Sequence, residues 1–190
     1  MKWNEVAPDA RPHHLTSLTR KMTVLDALTL LASASTGPMV LIGKSVTAQI
    51  EEHLVQKKVE LGGLLTGRVY GREDNESGAF VVSVHDAVPS DSFDSTGVSL
   101  SMDSNVWQKA NTSLTSGDVV VGWYHSHPNL GAFFSGTDRR TQAAFFSNFY
   151  SLGLVVDPFR DERKWFLGGS CVELEETSIL EIERPGITSL

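Results

Sequence analysis

The chain has 190 residues, 41% apolar and 21% charged, which is enough for one domain with a real core. Its net charge of −7 argues against non-specific nucleic-acid binding, which needs a basic face. A lone cysteine, Cys171, excludes an internal disulfide and fits a reducing compartment. Met1–Glu5 is polar and starts no signal peptide, and no apolar run reaches the length of a membrane span. The expectation is a soluble cytoplasmic protein with no membrane and no nucleic-acid partner.

Residues 1–20 contain Pro8, Pro12 and the adjacent pair His13 and His14, with little periodicity. They read as a flexible N-terminal extension or a loosely docked arm, and the two histidines as exposed polar groups rather than a metal site. Residues 21–190 read as a single domain, since no linker, repeat or low-complexity tract divides them. Thr23–Asp26 is a capping box for a short helix to about Ala34. Met22, Leu25, Leu28 and Leu31 recur on it at near-helical spacing and read as core packing, with a partner-docking face as the alternative. Pro38–Ile42 predicts a first strand. Ser45 predicts the cap of a helix to about Lys58 whose buried stripe is Val46, Ile50 and Leu54. Glu51, Glu52, Lys57 and Lys58 form its solvated face, and His53 is structural or exposed.

Val59-Glu-Leu-Gly-Gly-Leu-Leu-Thr-Gly67 follows. Glu60 either ends the helix in solvent or has a task, because a strand this apolar should not begin with an unpartnered carboxylate. The two glycines permit close approach of another backbone or a substrate. Residues 64–71 and 79–88 predict a hairpin across a polar tip. Ser90–Ser95 is turn-rich, and Val98–Met102 alternates as a short, poorly protected strand. Asp103–Leu114 predicts a helix with Val106, Trp107 and Ala110 inward.

Asp118–His125 is a buried strand by its β-branched and aromatic run. On an extended backbone His125 and His127 point to the same face, and Pro128 ends the pairing. Ser135 is placed as an N-cap and Asp138 in the first turn of a helix over 138–149. Ser-x-x-Asp alone is a capping signal, and a lone His-x-His is usually incidental. The two together, between an apolar strand and a helix, place two imidazoles and a carboxylate around a metal with a fourth position open, which is the catalytic zinc pattern. Leu152–Val156, Trp165–Leu167, Cys171–Leu174 and Ile179–Ile182 predict further strands, with Gly168-Gly169 a tight turn between two of them. Cys171 reads as a buried structural thiol. Strands and helices intermingle without strict alternation, so the expected class is α/β.

His-x-His, seven residues, Ser, two residues, Asp resembles the motif of the JAMM (MPN-plus) zinc metalloproteases, which remove ubiquitin or ubiquitin-like proteins from lysines. Gly122-Trp-Tyr-His-Ser-His-Pro128 looks like the deubiquitinase branch, and Val155–Pro158 resembles its next strand; the likeness spans roughly Val40 to Glu175. It implies a curved mixed β-sheet flanked by helices, similar to cytidine deaminases. It implies one Zn²⁺ per chain held by His125, His127 and Asp138, a catalytic Glu at Glu60, and Ser135 as a donor to the water or the oxyanion. By analogy, Val98, Ser99, Leu100, Ser101 and Met102 would receive the extended tail of a ubiquitin or ubiquitin-like protein as an added strand. The short chain looks like a stand-alone, prokaryotic type of member. Rival readings are a peptidase that trims sulfur-carrier proteins, a non-catalytic MPN scaffold subunit, and a RadC-type protein. Acidic charge and the Trp-Tyr-His-Ser-His wording oppose the last. The oligomeric state is left open.

Overall fold

The computed structural model describes residues 12–20, 22–34, 37–71, 79–91, 93–96, 99–102 and 104–183. Two ten-residue strands, β3 (Gly62–Gly71) and β4 (Phe80–Pro89), form an antiparallel pair near the middle of a mixed sheet. Around them run β2 (Met39–Gly43), β7 (Val119–Ser126), β8 (Leu152–Asp157), β9 (Glu162–Leu167), β10 (Val172–Glu173) and β11 (Ile179–Ile182). The order is β10-β9-β8-β7-β3-β4-β2-β11, and the two-residue β1 (His13–His14) adds beside the end of β3. Parallel pairs β2/β4, β7/β8 and β11/β2 stand in one sheet with antiparallel ones, which makes the fold a mixed α/β type, as expected.

Alternation along the strands splits the core into layers. Val40 and Ile42 of β2 join Leu65, Val82 and Val84 against α3 (Lys44–Leu54), whose Val46, Ile50 and Leu54 are buried. Met39 and Leu41 point the other way, to α1 (Leu15–Thr19) and α2 (Val24–Ala34). Leu64, Trp123 and Val155 meet α4 (Ser104–Ser113) through Val106 and Ala110, with Phe134 and Phe146 alongside. The sheet curls enough that Arg163 of β9 comes within 4.0 Å of Glu51 on α3 and 3.9 Å of Glu181 on β11. Among the described residues no helix is long and apolar enough to cross a membrane.

Several expectations change. Of the twenty residues read as a flexible extension, 1–11 lie outside the described residues. His13 and His14, by contrast, pair in parallel with Tyr70 and Gly71, and Leu15 and Leu18 are buried in the core. The capping box at Thr23 and Asp26 forms, but its helix touches the core through Leu30 and Ala34, an i,i+4 pair. Of the predicted stripe, Met22 packs against the core, whereas Leu25, Leu28 and Leu31 face solvent at 73%, 61% and 45% exposure. Gly43, not Ser45, precedes the first turn of α3, which stops at Leu54 with Lys57 and Lys58 beyond it. The turn-rich segment contains β5 (Phe93–Thr96), which pairs with β6 (Ser99–Met102) in a separate two-stranded sheet. The hairpin tip at 72–78 lies outside the described residues.

Candidate metal centre

β7 lies between β3 and β8, so residues 121–126 are buried on a strand paired on both sides. Pleating sends Trp123 and His125 to one face, and His127 follows one residue past the strand's end. The His127 N–H still donates to the Val156 carbonyl at 2.9 Å, which keeps the chain extended through the second histidine. A turn then carries Asn129 and Gly131 at φ 61° and 88°. The buried Asp157 carboxylate holds this turn, accepting the N–H of Asn129 at 3.1 Å and of Gly131 at 2.8 Å. Burial pushes the Asp157 pKa up, but the N–H groups of Gly131, Asn129 and Phe159 outweigh it and hold the group ionised.

α5 (Gly136–Phe145) supplies the third group. Its capping box is reciprocal: Ser135 Oγ accepts the Asp138 N–H at 3.2 Å, and Asp138 Oδ2 accepts the Ser135 N–H at 2.6 Å. This helix ends at Phe145 and not at 149, and Phe149 is exposed. The cap fixes the Asp138 side chain where Oδ1 lies 3.3 Å from His125 Nε2 and Oδ2 lies 3.5 Å from His127 Nε2. The two Nε2 atoms are 3.2 Å apart.

Three ligand atoms thus lie within 4.8 Å of one another on three buried residues. Burial raises the Asp138 pKa, but the hydrogen bond and charge of His125 and the two bonds to Ser135 bring it down to about 2. Burial, and then the neighbouring His125, push His127 below its ordinary value against the opposing charges of Asp138 and Glu60. An ionised carboxylate with a neutral imidazole is the protonation state that metal ligation requires. The nitrogen, nitrogen, oxygen donor set fits zinc with a position left over. The residues present therefore fit the expected ion.

Glu60 is half-buried in the coil before β3, near enough for its charge to act on His127. The adjoining peptide is held by β7: Ser126 N–H donates to the Leu61 carbonyl at 2.9 Å, and Leu61 N–H donates to Ser126 Oγ at 3.0 Å. β6, with Ser99, Leu100, Ser101 and Met102, runs beside α5, while Val98 lies outside the described residues. Sequence reasoning passed over Trp123, which stacks on His125 with centroids 4.5 Å apart and planes 5° apart. It also missed Gln142, whose Oε1 accepts the Trp123 Nε1–H at 2.6 Å while its Nε2 donates to the carbonyls of Phe146, Ser151 and Gly168. Its signal was available: Gln142 stands one helical turn after Asp138, on the same face.

The family described as prokaryotic homologs of the JAB domain matches residues 44–167. Ubiquitin carboxyl-terminal hydrolase RPN11 of Saccharomyces cerevisiae is 40% identical over 70 residues, 34% of this chain and 23% of that protein. COP9 signalosome complex subunit 5 of Eremothecium gossypii is 44% identical over 57 residues, 29% of this chain and 13% of that protein. The 26S proteasome non-ATPase regulatory subunit 14 of Drosophila melanogaster is 46% identical over 44 residues, 23% of this chain and 14% of that protein. The matched stretch is thus less than a quarter of each of these relatives. The solution structure of a Desulfitobacterium hafniense protein superposes with a TM-score of 0.59 at 26% identity, covering 77% of this chain and 94% of that one.

Proposed function

The chain belongs to the family of prokaryotic homologs of the JAB domain, and from that premise we propose that it is a zinc-dependent isopeptidase or peptidase. It would cleave after the C-terminal glycine of a ubiquitin or ubiquitin-like protein. The observation that carries this reading is the buried convergence of His125, His127 and Asp138, with Glu60 two residues before the Gly62 that pairs with His125. The name of the RPN11 relative supports ubiquitin as the substrate class.

His125, His127 and Asp138 would hold the ion, which when bound supplies a Lewis acid and acidifies water. Glu60, half-exposed at the rim, would take the proton of the attacking water and return it to the leaving amine. Ser135 would donate from its hydroxyl to the oxyanion while its Oγ goes on accepting the Asp138 N–H. Gly63 serves the sheet's own packing, since a Cβ there would meet the Val88 carbonyl oxygen at 2.3 Å and the Tyr124 side chain at 2.8 Å. The tail of the modifier would add as a strand to β6 over residues 99–102. The proposed modifier chemistry would place the chain in the cytoplasm, a reducing compartment that a lone thiol fits.

The test is a panel of ubiquitin and ubiquitin-like proteins, each carrying a linear extension or a lysine isopeptide, assayed with and without a chelator. The reading expects cleavage after the terminal glycine that the chelator abolishes and zinc restores. Cleavage that survives full removal of the metal would overturn it, and a preference for linear extensions would assign precursor processing over deconjugation.

A further inference from the structure

One residue before β3 begins, its ladder with β7 passes through a side chain. Gly62 pairs with His125 in the regular register. The next position is different. Ser126 N–H donates to the Leu61 carbonyl at 2.9 Å, yet Leu61 N–H donates to Ser126 Oγ at 3.0 Å rather than to a main-chain carbonyl. The Leu61 carbonyl is held by the Ser126 N–H, with the hydroxyl 3.5 Å away, so the hydroxyl's grip is on the Leu61 N–H. Ser126 is wholly buried and sits between the two histidines of the metal centre. Its main chain meanwhile lies in the parallel pairing with Val156 of β8. The side chain thus lets one residue serve both neighbouring strands, and Glu60 is the residue attached to the gripped peptide.

We propose that Ser126 is a positioning residue for Glu60: its hydroxyl clamps the Leu61 peptide and so sets the reach of the Glu60 carboxylate to the metal centre. This rests on the base role proposed for Glu60. A carboxylate at the start of a strand has no helix or ladder of its own to fix it. Its placement depends on the last anchored peptide, and that anchor is the serine hydroxyl. Alanine at 126 removes the acceptor and leaves a half-buried N–H unpaired, which loosens the segment. Threonine keeps the hydroxyl and suits an extended backbone.

The experiment compares wild type, Ser126→Ala, Ser126→Thr, Glu60→Gln and the double variant Ser126→Ala/Glu60→Gln. Four quantities are read: hydrogen exchange of the Leu61 amide, zinc per chain, and kcat and KM on ubiquitin joined through its last glycine to a fluorescent amine. Ser126→Ala should speed Leu61 exchange by at least about tenfold. It should keep its zinc and lose about 10- to 100-fold in kcat, the scale of a small misplacement, with KM near wild type. Ser126→Thr should restore both the exchange rate and kcat. In the Glu60→Gln background the alanine should cost little more, because the group it positions is already disabled. Unchanged Leu61 exchange in Ser126→Ala overturns the clamp. A kcat loss of the same factor in both backgrounds overturns the action through Glu60. Full activity of Glu60→Gln instead removes the base role itself, a failure that leaves the exchange result standing and is therefore distinguishable.

Discussion

Trp123 lies flat on His125, ring centroids 4.5 Å apart and planes 5° apart, and Gln142 fixes the indole by accepting its N–H. The stack leaves His125 little rotational freedom, so its Nε2 stays aimed at Asp138. Trp123→Phe keeps an aromatic face but orphans the fully buried Gln142 Oε1. We expect about 1–3 kcal/mol of lost stability from the unpaired acceptor. Zinc affinity should fall about 10- to 100-fold, the scale of supporting-residue changes at metal sites. Thermal melts of the metal-free protein and a chelator competition measure the two separately, and unchanged values in both would refute the support role.

Ser135 has a cap role and a proposed donor role, and substitutions can separate them. Ser135→Ala removes the acceptor of the Asp138 N–H and should cost about 1 kcal/mol. For a chain of this size that is a fall of roughly 2–4 °C in Tm. It should also lower kcat about 10²–10³-fold by removing the oxyanion donor. Ser135→Asn should recover the melting temperature as a competent cap, but not kcat. Recovery of both would leave the serine with a cap role alone.

Zinc should bind at one per chain and raise Tm with its concentration, because the ligands converge only in the folded state. His125→Ala and Asp138→Ala should each lose most of the metal, and elemental analysis of the purified variants reads it directly. Asp138→Ala also deletes half of the capping box. It should therefore lower the metal-free melting temperature through the cap, and His125→Ala through the cavity it leaves beside Trp123. Wild-type zinc content in both variants would refute the ligand assignment.

His53 of α3 is buried against Tyr124, with Nδ1 3.0 Å from the phenol oxygen. Burial pushes its pKa below the ordinary 6.5. The unfolded chain therefore takes up the proton first. The stability contribution is complete above the unfolded value and declines as pH falls through it towards the folded value. His53→Gln keeps a polar partner for Tyr124 but does not titrate. The drop in Tm between about pH 7.5 and about pH 5.5 should be smaller in this variant than in wild type. An equal drop would show that His53 carries no part of the acid sensitivity.

The centre was legible in the sequence because its geometry is local. His125 and His127 share a strand face by pleating, and Ser135 and Asp138 share a helix cap by spacing. What was not legible depends on partners distant in the chain. His13 and His14 look like arm residues until Tyr70 and Gly71 offer them an edge. The stripe on α2 has helical spacing, but periodicity does not say which face meets the core, and Leu30 and Ala34 make that contact instead. α5 read as longer because Phe145, Phe146 and Phe149 continue an apolar pattern. Phe146 leaves helical geometry at φ −129° and ψ 45°, and its side chain is buried against Trp107 and Trp123. Ser126 acts through hydrogen bonds to main-chain groups of a distant segment, which no side-chain pattern announces.

The most direct test of the account is the turnover of zinc-loaded Glu60→Gln. Glutamine keeps the volume and one hydrogen-bonding oxygen but takes no proton near neutral pH. Glu60 is not one of the three grouped ligands. Zinc content and melting temperature should match wild type, while kcat on a cleavable ubiquitin or ubiquitin-like fusion falls about 10²–10⁴-fold with KM little changed. Full activity in that variant would contradict the base role, and loss of zinc would make Glu60 a ligand.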